Sequence, residues 1–290
     1  MSAGHNTRLG IVLMVGTTFV FAVQDGLSLH LSSTYNVYMV VMVRYWFFAA
    51  FVITISVKQV GGIRNAARTH QPYLQGFRGV LLATEICVMV TGFTYLGLVE
   101  SLAIFSSYTL IVAAMSGPIL GEIVGWRRWM AIFAGLCGVL IILKPGMGVF
   151  SVYAIIPLIA ASMFALYSLL TRYVARQDST ATSFFWTGVT GCIVMTFVGM
   201  FHLEDMIPAD WLLMLCLCFT GATGHWLLIR CYEVAEASAV QPFTYLQLVF
   251  GAAIGVMVFG EVIETNVAVG AVLVVAAGLF TLWRARVSVT

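Results

Sequence analysis

The sequence predicts an all-α integral membrane protein of ten transmembrane helices, built as two inverted-topology five-helix repeats with both termini cytoplasmic. Three observations predict it. Apolar residues make up 61% of the chain and charged residues 9%, and the mean hydropathy of +1.00 lies far beyond the range of soluble domains. Apolar stretches of about 20 residues, enough to cross roughly 30 Å of hydrocarbon, recur throughout with short polar breaks between them. Basic residues mark alternate breaks, as the excess of Lys and Arg in cytoplasmic loops requires.

The first span, 9–30, follows only Arg8 and His5 and is closed by no small-residue cleavage pattern, so it reads as a retained helix. The second, 36–57, runs into Lys58, Arg64 and Arg68; the third, 79–97, opens at Arg78-Gly79. Glu100 and Gly121-Glu122 bracket the fourth, 101–120, while Arg127-Arg128 and Lys144 bracket the fifth, 129–143. The sixth, 151–171, ends at Arg172 and Arg176, and the seventh, 181–201, at Glu204, Asp205 and Asp210. The eighth, 211–229, leads to Arg230, the ninth, 239–259, to Gly260-Glu261, and the tenth, 266–283, runs from beyond Glu264 to Arg284 and Arg286. One face thus collects the basic residues, and on the other Lys144 stands alone among acids. No stretch is left for a separate soluble domain. The cysteines Cys87, Cys137, Cys192, Cys216, Cys218 and Cys231 show no C-x-x-C spacing and read as small packing residues.

Internal similarity divides the chain into 1–146 and 147–290. Gly121-Glu122 closes the fourth span as Gly260-Glu261 closes the ninth, and Tyr95, Ser101 and Tyr108 match Tyr232, Ser238 and Tyr245 in spacing. Phe21-Ala22 and Phe164-Ala165 mark the first helix of each half. Five is odd, so the halves insert in opposite senses. Inverted repeats of this kind surround a midplane site in many secondary transporters.

In order and spacing, several segments together resemble the ten-helix EamA type of the drug/metabolite transporter superfamily along essentially the whole chain. They are Arg78-Gly79, Gly121-Glu122 with Arg127-Arg128-Trp129, Gly135 and Gly138 before Lys144-Pro145-Gly146, Gly224-His225 with Arg230 and Tyr232, Ala237-Ser238 with Pro242-Phe243, Tyr245 with Gln247, and Gly260-Glu261. The resemblance implies secondary transport across a bacterial inner membrane, with solutes such as amino acids, riboflavin or S-adenosylmethionine. It also implies a central cavity walled by both halves, with the fifth and tenth helices more peripheral.

Charges deep in a bilayer are costly and therefore rare unless they are paired or line a wet cavity. Asp25 and Arg44 lie at similar depth in the first two spans and read as a charge pair or gate near the external end. Glu85 in the third span has no evident basic partner. An unpaired carboxylate there is relieved by a cation or an arriving proton, which favours a cationic or zwitterionic solute and makes protons a candidate coupling ion. His225 is a candidate relay, and Thr244 and Gln247 lie on a polar stripe with Gly251 and Gly255. Tyr108, Tyr245, Trp186, Trp226 and Tyr167 can stack on a planar or quaternary solute, which keeps a neutral aromatic metabolite such as riboflavin as the alternative. Pro118 and Pro242 are hinge candidates, as is Pro157. Trp46, Trp126, Trp129, Trp211 and Trp283 fit interface anchoring or packing.

No G-x-x-x-x-G-K-[ST], H-E-x-x-H or G-x-S-x-G motif is present. The expectation is a carrier acting on a small-molecule solute in a lipid bilayer, as monomer or homodimer, with no cofactor, metal or nucleic acid. A membrane-embedded enzyme or assembly subunit is the alternative from another class.

Overall fold

A computed structural model describes residues 7–121, 125–143, 152–235 and 240–287. Its helices are α1 (Thr7–Thr34), α2 (Val37–Val60), α3 (Ile63–Ala67), α4 (Pro72–Leu96), α5 (Leu98–Phe105), α6 (Tyr108–Leu120), α7 (Trp126–Leu143), α8 (Ile155–Val174), α9 (Thr180–Gly199), α10 (Pro208–Val234), α11 (Leu246–Phe259) and α12 (Thr265–Val287). Seven segments are long and apolar enough to cross a membrane, with α5 and α6 counted together. Shorter apolar helices lie at Trp129–Ile142, Phe243–Phe259 and Thr265–Phe280, and these complete the ten expected spans.

Packing between helices follows a twofold plan. The first span (α1) lies against the eighth and ninth (α10, α11), and the sixth (α8) lies against the third and fourth (α4, α6). Exchanging each span with the one five places on converts the first set of pairings into the second. The pairs α2 with α9 and α7 with α12 map onto themselves. The boundary expected between 146 and 147 lies outside the described residues.

The third span begins earlier than hydropathy suggested, at Pro72 rather than 79, because its first turns bury Gln75 and Arg78 against protein instead of lipid. The fourth is broken. Ser106 and Ser107 interrupt it, with Ser107 N–H bonding the Ile104 carbonyl at 3.1 Å and Leu110 N–H bonding the Ser107 carbonyl at 2.9 Å, both three residues back. The Ser106 hydroxyl meanwhile donates to the Ala103 carbonyl at 2.7 Å, the local competition by which serine loosens a helix. Pro118 lies in the last turn of α6, near the cytoplasmic end of the fourth span, and the break at Ser106–Ser107 is a separate irregularity about ten residues earlier. Pro242 lies at the start of the 3-10 turn Gln241–Tyr245 ahead of α11, where a missing N–H costs little. Pro157 is likewise in the first turn of α8.

The two irregular points are tied to each other. Thr109, just past the break, shares a 2.5 Å hydrogen bond with Tyr245, and Tyr108 is hydrogen-bonded to Thr244. Each tyrosine thus bonds the threonine beside the other. The repeated Gly-Glu steps also gain a physical meaning, since Gly121 and Gly260 cap α6 and α11 in the left-handed conformation, at φ 75° and 68°. Glu122 lies outside the described residues. Glu261 reaches the start of α5, accepting from Leu98 N–H at 2.6 Å and Val99 N–H at 2.8 Å.

Close backbone approach joins α7 to α12: a Cβ placed on Gly138 would lie 2.8 Å from the Gly270 carbonyl oxygen, whereas one on Gly76 would meet nothing within 4 Å. Gly138→Leu is expected to cost about 1–3 kcal/mol by overpacking. Gly76→Ala is expected to be neutral or to stabilise by about 0.5–1 kcal/mol, and thermal unfolding of the detergent-purified variants checks both.

Candidate functional site

Asp25, Arg44 and Glu85 come together from α1, α2 and α4. Counting from the helix ends on the acid-rich face, they lie roughly 10–17 Å down at 1.5 Å per residue. The direct ion pair expected between Asp25 and Arg44 is not formed. Asp25 instead accepts a 2.7 Å hydrogen bond from Gln247 of α11, because α1 packs along α11 and α10 and only lightly against α2. Arg44 remains within electrostatic reach of both Asp25 and Glu85. The expectation that Glu85 has no basic neighbour is corrected in the same way: Arg44 is that neighbour, shared by two acids. Glu85 is 4% exposed and makes no direct hydrogen bond or ion pair among the described residues.

A cavity opens beside Arg44, lined by Arg44, Tyr45, Phe48, Leu82, Gly221 and His225 among others. Gly221 leaves space there, since a Cβ on it would lie 3.1 Å from Gln24 Oε1 and 3.7 Å from Arg44 Nε. Gln24 Oε1 and the Tyr45 hydroxyl are buried and have no hydrogen-bond partner among the described residues, an arrangement that costs about 1–3 kcal/mol per group when left unanswered. His225 stands in an aromatic ring set, with centroids of Phe48, Phe21 and Phe184 at 5.0, 5.3 and 6.4 Å.

A second cavity continues toward the basic face and shares Phe48, Leu82 and His225 with the first. Arg78 lines it, with Tyr167, Thr171, Phe184 and Thr187. By hydropathy Arg78 falls just outside the third span. In the structure it is 1% exposed and donates to Ser183 O at 2.6 Å and to Thr187, Thr171 and Gln75 at 2.9 Å each. Extending the third span to Pro72 would have revealed it, because Arg78, Leu82 and Glu85 then fall on one stripe.

Other expected site residues are placed elsewhere. Tyr108, Tyr245 and Thr244 engage in the ties between the two helix breaks, and none of them lines either cavity. Trp186 donates to the Ala67 carbonyl at 3.1 Å and secures α3 to α9. Trp226 is 45% exposed on the bundle exterior. Of the expected set, Arg44 and His225 line the first cavity and His225 and Tyr167 the second, while Asp25, Glu85 and Gln247 cluster about Arg44 without lining either.

Each face has its own clasp. On the acid-rich face Tyr35 donates to Asp210 at 2.7 Å, which raises the tyrosine pKa, and Asn36 N–H donates to Glu204 at 3.0 Å. On the basic face Asp178 accepts from Thr69, from Gln75 at 2.9 Å and from His70 N–H at 3.0 Å. Burial works against charge on Asp178, but these bonds outweigh it and hold the carboxyl at about 2.

The chain matches the EamA-like transporter family over residues 8–144 and again over 151–283. An S-adenosylmethionine uptake transporter of Rickettsia prowazekii is 23% identical over 97% of this chain and 95% of its own length. A riboflavin transporter of Vibrio cholerae is 26% identical over 99% and 98%, and a pseudopaline exporter of Pseudomonas aeruginosa is 24% identical over 93% and 94%. A solved crystal structure superposes with a TM-score of 0.63 at 16% identity, covering 95% of this chain and 98% of that one, a likeness of fold. These matches identify a multi-pass membrane transporter of small metabolites rather than an enzyme.

The Asp178 clasp has a pH signature. Its depressed pKa contributes stability that is full above the unfolded value of 3.8 and is lost as pH falls through about 2. Asp178→Asn is expected to lose roughly 2 kcal/mol near neutral pH, and the gap to wild type should close on acidification below pH 3.8 in detergent unfolding curves.

Proposed function

This chain belongs to the EamA-like transporter family, and we propose that it is a secondary carrier for a small organic solute bearing a positive charge. The solute class is cationic or zwitterionic: an amino acid, a quaternary amine or an S-adenosylmethionine-like molecule. One observation carries this reading. Two carboxylates, Asp25 and Glu85, lie within electrostatic reach of the one guanidinium of Arg44, so with all three ionised that cluster is one negative charge in excess. A solute cation balances it, and Gln24 Oε1 offers it an acceptor.

The twofold packing plan supports alternating access, with the halves 1–146 and 147–290 rocking about the tied breaks of the fourth and ninth spans. Opening and closing then exchange the Asp178 and Asp210 clasps. Glu85 exchanges a proton, released to water, for the solute cation, which couples transport to protons or to exchange. The carrier works as a monomer or homodimer in a bacterial inner membrane, with both termini cytoplasmic. A second reading, a neutral aromatic solute such as riboflavin, is favoured by the Phe21, Phe48 and Phe184 rings around His225.

Proteoliposome uptake of labelled solutes tests the choice. Cationic or zwitterionic solutes should accumulate, with Glu85→Gln lowering uptake about tenfold or more, the equivalent of about 1.4 kcal/mol, and flattening its dependence on pH. Accumulation of neutral flavin alone, with Glu85→Gln behaving as wild type, would favour the second reading.

A further inference from the structure

We propose that the transported solute is dipolar, and that Arg78 receives an acidic group in the second cavity, two turns of α4 away from Glu85. This rests on reading Asp25 and Glu85 as the cation subsite and extends it. Arg78 and Glu85 are seven residues apart on α4, two helical turns less about 20°, so they share a stripe and stand roughly 10 Å apart along the axis. Leu82 lies between them and lines both cavities. A solute extended along this stripe meets a negative end at one level and a positive end at the other.

The surroundings of Arg78 fit an acidic guest. Its hydrogen-bond partners are all neutral: Gln75, Thr171, Tyr167, Thr187 and the Ser183 carbonyl. The carboxylate of Asp178 acts on it through space and through Gln75 without an ion pair, and is already bonded to Thr69 and His70. A buried guanidinium without a contacting anion is an unfavourable arrangement, and Arg78 Nε has no hydrogen-bond partner among the described residues. Tyr167 supplies the exchangeable position. Its hydroxyl holds Arg78 at 3.5 Å, the longest bond of the set, and its ring lies 5.3 Å from the guanidinium carbon. A carboxylate entering there replaces a weak neutral contact with a charge-assisted one and can accept a hydrogen bond from the Tyr167 hydroxyl.

Linear ω-amino carboxylates of about four to eight carbons, with their methyl esters and the matched alkylamines, test this by ligand-dependent thermal stabilisation of the purified full-length protein. The best amino carboxylate should bind about tenfold or more tightly than its ester and its amine. Arg78→Gln should abolish that advantage while leaving amine binding in place, and Arg78→Lys should retain part of it. Equal binding of acid and ester by wild type would overturn the proposal, and that comparison holds even where Arg78→Gln fails to fold. So would an Arg78→Gln variant that weakens acid and amine alike. Amine binding indifferent to Glu85→Gln would instead remove the cation subsite, leaving the acid-versus-ester comparison to judge Arg78 by itself.

Discussion

A charge withdrawn from water into an apolar bundle must be answered by another group, and three ionisable groups at the centre of this protein answer one another incompletely. Arg44 acts on both Asp25 and Glu85 and contacts neither in an ion pair. Asp25 takes its hydrogen bond from Gln247 instead. Each partner comes from a different helix, so the cluster links α1, α2, α4 and α11 through electrostatics where apolar packing alone would permit many registers. Insertion scales put such residues at a few kcal/mol each at the bilayer centre. A bundle with only a packing role would have no reason to keep them. Their cost is consistent with a site whose balance is completed by what passes through.

The second organising feature is the twofold plan. It sets two irregular helices, α5–α6 and the 3-10 turn with α11, against each other near the centre. Hydroxyl bonds of Thr109 with Tyr245 and of Tyr108 with Thr244 fix the two breaks to a common point. Clasps of different chemistry close the two ends: a tyrosine and backbone amide on acids at Asp210 and Glu204, and a cluster of neutral donors on Asp178. A joined centre with a clasp at each end fits the rocking motion proposed for the two halves.

How much was legible in the sequence followed from which forces dominate. Spans and repeat plan were readable because lipid imposes length and hydropathy, and because the Gly-Glu steps mark left-handed caps that recur at Gly121 and Gly260. The depth of Asp25, Arg44 and Glu85 was readable for the same reason. Their partners were not, since hydrogen bonding of Asp25 with Gln247 depends on how helices remote in sequence pack. Arg78 was overlooked because a polar first turn looks like a loop when water is the assumed neighbour, whereas Ser183, Thr187 and Thr171 are its surroundings. The break at Ser106–Ser107 carried no proline, and the paired tyrosines resembled ligand-stacking residues although their hydroxyls join helices.

Carriage through this site requires water and solute to reach the Asp25, Arg44 and Glu85 cluster from a membrane face. Single cysteines at Leu82, Phe48 and Gly221, placed in a variant lacking the native cysteines, measure this by labelling with a membrane-impermeant thiol reagent in oriented vesicles. The account predicts labelling at all three positions, with the accessible face changing when a transported solute is added. Absence of labelling from both faces, with or without solute, would contradict it.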